Sequence, residues 1–205
     1  VKKGNLCVNL FASARALDAT LADSSRAQNA FESFRESGIH STPAEIKKEK
    51  SVNQTTIGSN ITYLTSRLTL GVSGYYTTFD KILLESAKLY KAKSFSGRDL
   101  AGTSLNYLYL GNRFQFFGEA AWANKNTALL NGILLFVNEN IIVGALHRHY
   151  QTSYYSYYSN AFSEGTSVGN ESGFYLGGEL KMSTLTLKTY ADIFSFPWLK
   201  YSINT

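Results

Sequence analysis

His147 and His149 stand two residues apart with Arg148 between them. On an extended strand such a pair shares a face, which is a spacing for edge-on metal binding. A third ligand is not evident, since His40 falls in a distant loop, and no metal site is expected. Five charged residues, Glu119, Glu179, Lys181, Lys188 and Asp192, sit in alternating stretches on the side away from the apolar residues, with Arg148 and Arg15 as less regular additions. In an open water-filled interior such charges form a selectivity lining; in a closed one they pair into a salt-bridged filling. Hydrolysis would need a serine, a histidine and an acid on one face or loop, and that arrangement is missing. Ser163, Glu164 and His149 are what a membrane-embedded hydrolase would have to use. No enzymatic activity and no cofactor are expected. The run Tyr154, Tyr155, Tyr157 and Tyr158, close behind Tyr150, has two readings: partner-binding rings in an external loop, or an aromatic belt continued beyond a membrane.

The elements that must carry these residues are strands. The hydrophobic share of 44% is too high for a disordered chain, and 14 Tyr and 13 Phe with only 2 Pro suit long uninterrupted strands. No stretch approaches the roughly 18 consecutive apolar residues of a membrane helix. Hydrophobicity instead alternates with a period of two over 6–21, 54–65, 68–79, 100–110, 113–123, 127–137, 141–150, 172–182 and 184–194, with a tenth strand expected from Trp198. Segments of about ten residues are what a tilted strand needs to cross a bilayer.

Connection lengths alternate as well. Links at 66–67, 111–112, 138–140 and 183 are very short, whereas 22–53, 80–99 and 151–171 are long, 124–126 being the exception. Short turns on one side and long loops on the other characterise an up-and-down transmembrane β-barrel, with the long loops extracellular; a Greek-key sandwich has no such asymmetry. On the apolar face, Tyr63, Tyr107, Tyr109 and Phe136 gather toward the turns and Tyr76, Trp122 and Phe174 toward the loops, as two interfacial girdles. Thr42, Pro43, Ala44 and Glu45 form a capping box with Pro at the first helical position, predicting a short helix to about Lys50. Ala27, Phe31 and Phe34 within 22–37 have helical spacing too. The net charge of +5 is scattered, its one cluster of Lys47, Lys48 and Lys50 being interleaved with Glu45 and Glu49 as on a solvated helix face. Cys7 has no partner for an internal disulfide. No basic-then-apolar leader opens the chain, so an export signal is expected outside these 205 residues.

Several pieces resemble a family of large outer-membrane barrels of Bacteroidota labelled helix-hairpin-helix domain-containing proteins: SGIHSTPAE at 37–45, FFGEA at 116–120, LLNG at 129–132, YSNAFSEG at 158–165 and ADIFSFPWLKY at 191–201. The resemblance implies that 1–205 is one segment of a wider barrel in the bacterial outer membrane, in contact with lipid and lipopolysaccharide and with other outer-membrane or surface proteins. It implies a structural or accessory subunit or gated conduit, with a substrate-specific channel, including nucleic-acid passage, as the alternative. No Gly-rich hairpin of the kind that grips a phosphate backbone occurs here, so no nucleic acid is expected to bind this segment.

Overall fold

A computed structural model describes residues 2–23, 29–35, 37–165 and 167–200. The chain is all-β. Twelve strands lie in one sheet: β1 (Lys2–Lys3), β2 (Leu6–Leu17), β3 (Ala19–Leu21), β4 (Ala30–Phe34), β5 (Val52–Leu64), β6 (Leu68–Leu83), β7 (Gly97–Leu110), β8 (Phe114–Ala123), β9 (Asn126–Asn138), β10 (Ile141–Tyr150), β11 (Glu171–Lys181) and β12 (Thr186–Ser195). The neighbours run β1-β2-β5-β6-β7-β8-β9-β10-β11-β12, each antiparallel to the next. The sheet is not closed. Among the described residues β12 is paired on one side only, and the outer edge of β2 is met only at Leu6 and Cys7, by β1.

Two-residue alternation places one apolar residue after another on a single face. Leu10, Ile61, Val72, Leu105, Phe116, Leu135, Val143, Leu176 and Ile193, one from each long strand, all point the same way, and each is at least 40% exposed. We call this the outer face. Buried apolar side chains gather at the loop end of the opposite, inner face, in two clusters: Ala19, Phe31, Val52, Phe79 and Leu83, and Ala123, Ala128, Tyr150, Tyr154 and Val168.

Turn chemistry explains the short connections. Thr65 Oγ1 accepts from the Leu68 N–H at 2.9 Å and folds the β5–β6 turn. Asn124 and Lys125 have φ of 46° and 69°, the left-handed pair that a two-residue hairpin requires between β8 and β9.

The first long connection departs from expectation in three places. The expected strand 6–21 breaks at Asp18, whose carboxylate accepts from the Lys50 N–H at 2.9 Å and contacts His40 Nε2 at 2.7 Å. Residues 30–34 form a strand, not a helix, because β6 continues to Leu83 and offers its edge to Ala30 and Phe31 in parallel register; Ala27 lies outside the described residues. The helix α1 (Pro43–Ile46) is a single turn with its capping box intact, Glu45 accepting from Thr42 N and donating its own N–H to Thr42 Oγ1. No strand begins at Trp198, whose N–H and C=O bond to the Asn170 side chain at 2.7 and 2.9 Å.

Candidate functional site

Register assembles the inner face row by row. One row reads Asn106, Glu119, Leu130, Arg148, Gly173 and Phe194; the next toward the loops reads Ser73, Ser104, Ala121, Ala128, Tyr150 and Glu171. Over them lies the segment 151–170, between β10 and β11.

Arg148 is the centre of the first row and is fully buried. Its Nε donates to Glu171 Oε1 at 2.6 Å, and Nη1 and Nη2 donate to the two Asp192 oxygens at 2.9 and 3.0 Å. The planar fork thus satisfies two carboxylates from two strands, and the rings of Phe162 and Phe194 lie 5.1 and 5.7 Å from the guanidinium carbon. Space for it comes from Gly173 directly opposite, where a Cβ would lie 2.9 Å from Arg148 Cζ. Glu171 also accepts from Glu164 N at 3.0 Å and Gly165 N at 3.3 Å. One carboxylate therefore joins the wall to the segment above it.

The segment reaches far across the face. Tyr150 OH donates to Phe162 O at 2.8 Å, and Tyr75 OH to Ser156 Oγ at 3.0 Å. Tyr158 OH donates to Gln54 Oε1 at 3.1 Å and lies 3.2 Å from Thr56 Oγ1, while Arg15 stands over the Tyr157 and Tyr158 rings at 5.2 and 5.5 Å. Tyr155 stacks on Phe95 at 5.3 Å and Tyr157 meets Phe34 edge-on at 5.4 Å. Tyr154 is buried against Val168 and Ala128. These four tyrosines thus engage the protein's own inner face and neighbouring connections. Gln54 is 1% exposed, and its Nε2 has no hydrogen-bond partner among the described residues.

The five charged residues singled out by sequence all fall on the inner face, in three separate settings. Glu179 bridges Lys181 and Lys188 at 3.1 and 3.2 Å near the turns. Asp192 belongs to Arg148. Glu119 stands in the Arg148 row beside the segment. Tyr63, Tyr76, Tyr107, Tyr109, Trp122 and Phe174 share the outer face, but Phe136 pairs with Ile142 on the inner one. Residues 133–137 are apolar at both parities, so only the register decides its side. His147 and His149 project outward, one against the Phe174 ring at 4.6 Å and the other 3.4 Å from Ser172 Oγ. Among the described residues no group of three His, Cys, Asp or Glu could hold a metal ion. Ser163 Oγ donates to Gly165 O within the segment, on the other side of the sheet from His149.

Sequence reasoning missed Glu171, Gln54, Tyr75 and Phe162. A signal existed for Glu171: an arginine amid an apolar strand demands carboxylates at the facing positions. No protein-family model, no curated protein and no solved structure matches this chain.

Proposed function

We propose that this chain forms part of the wall of a bacterial outer-membrane β-barrel, in which the segment 151–170 narrows the interior, as a structural subunit or gated conduit of the kind the Bacteroidota resemblance implies. The observation that carries this reading is the outer face, which presents exposed apolar side chains on every long strand from Leu10 to Ile193. Water-soluble monomers rarely expose a contiguous apolar patch beyond a few hundred Å², whereas lipid accepts one on all strands. The inner face supports it from the other side. Its ion pairs at Arg148 and Glu179 suit a wet or protein-filled interior. Connection lengths agree, being short at one rim and, save for the Asn124–Lys125 hairpin, long at the other.

Strand direction adds a requirement. The long strands β2 and β5 to β12 alternate, so β2 and β12 run the same way. An all-antiparallel barrel is then completed by an odd number of further strands, in line with the even totals of bacterial barrels.

The two tryptophans provide the test, since Trp122 is 40% exposed on the outer face and Trp198 is bound to Asn170 at the loop rim. In vesicles of lipid brominated along the acyl chain, Trp122 fluorescence, isolated in a Trp198→Phe variant, should be strongly quenched, and Trp198, isolated in a Trp122→Phe variant, should not. Equal, weak quenching of both would remove the membrane reading.

A further inference from the structure

Beneath the segment 151–170 the inner face encloses a cavity of about 350 Å³, walled by Tyr75, Tyr150, Tyr154, Tyr158, Ser104 and Glu119. Glu119 differs from the other inner-face acids. Glu171 and Asp192 hold Arg148, and Glu179 holds two lysines, but Glu119 makes no hydrogen bond or ion pair among the described residues. Glu119 is exposed where it meets the cavity, and a carboxylate there with no ion-pair partner among the described residues attracts a cation to the rings beside it.

The surrounding hydroxyls narrow the class of cation. Tyr75, Tyr150 and Tyr158 donate their hydroxyls to Ser156, Phe162 O and Gln54, Ser159 Oγ donates to Ser156 O, and Thr103 Oγ1 to Ser73 O. Ser73, Ser104 and Asn160 keep the remaining side-chain donors of the lining; beside them the cavity offers aromatic surface and one negative charge. The Tyr154 phenol is pushed up to about 12, by burial first and then by Tyr75 and Glu119. Of the cavity's rings, Tyr158 already accepts a cation, Arg15 standing 5.5 Å from its centroid.

We propose that this cavity binds a small organic cation, an alkylammonium compound, with its charge at the Glu119 carboxylate and its alkyl groups against Tyr75, Tyr150 and Tyr154. The site is built from β6 to β10 and the segment alone, so it stands whether or not the sheet closes in a bilayer. Aromatic cages with a carboxylate are the recurring solution for quaternary ammonium ligands.

Calorimetric titration of the full-length protein in detergent micelles tests this with choline and its neutral carbon isostere, dimethylbutanol. Choline should saturate one site, with the isostere at least about tenfold weaker, and Glu119→Gln should weaken choline by about tenfold or more. Tyr154→Phe, which keeps the ring, should retain binding, whereas Tyr154→Leu should lose most of it. Absence of choline binding, equal binding of the isostere, or full affinity in Glu119→Gln would overturn the proposal. So would preferential binding of a neutral methyl glycoside.

Discussion

Arg148 concentrates the chemistry of the inner face at one residue, because its guanidinium is the shared partner of Glu171 and Asp192. Replacing it with Met keeps much of the apolar stem but leaves two carboxylates facing each other with Glu171 fully buried. Loss of one partner from a buried pair costs about 3–5 kcal/mol, and that is the expected fall in unfolding free energy for Arg148→Met, read from the urea midpoint in micelles. An unchanged midpoint would mean that water reaches the triad. Asp18 makes a different prediction. Its carboxyl is held below the usual 3.8, first by the Lys50 N–H and then by His40. A depressed acid contributes stability that is present above its unfolded value and is lost as pH falls through the folded one. Protection of the Lys50 amide against hydrogen exchange, corrected for intrinsic rates, should therefore hold at pH 5 to 7 and decline below roughly pH 4. Asp18→Asn should flatten that decline.

At the scale of elements, the β8–β9 hairpin is joined by only two residues. Two consecutive left-handed residues without glycine cost backbone energy, and Asn tolerates that region better than Lys. Lys125→Gly creates the favoured Asn-Gly turn and should raise stability by about 1 kcal/mol with unchanged strand register. A decrease would show that the Lys125 side chain has its own role. The segment 151–170 is the opposite kind of element. Its described residues have no regular structure and are positioned by Glu171, Phe34, Phe95 and the hydroxyls of Tyr75, Tyr150 and Tyr158. Its tyrosines contact the inner face and neighbouring connections, while Tyr158 stays 48% exposed.

For the whole molecule, β2 and β12 leave two open edges that run in the same direction, and the outer face and the inner face differ in chemistry along the entire sheet. Strand positions were legible because period-two alternation is a local property: the ranges expected for 68–79, 113–123 and 141–150 coincide with or lie inside β6, β8 and β10, give or take a residue. The inner side of Glu119, Glu179, Lys181, Lys188 and Asp192 was legible for the same reason, as each faces away from apolar neighbours. Phe136 was not, because alternation vanishes in a run that is apolar at every position. Nor were β4, the cavity or the pairing of charges. Phe31 meets Leu83, Arg148 meets Asp192 and Tyr158 meets Gln54 across 52, 44 and 104 residues of chain, and such meetings depend on how the sheet brings distant strands to one face. Side-chain parity was thus determined by the sequence alone wherever apolar and polar residues alternate. Which residues complete one another across the inner face, and that 151–170 lies over it, were decided by tertiary packing, where charge burial and ring contacts select among folds that local periodicity leaves equal.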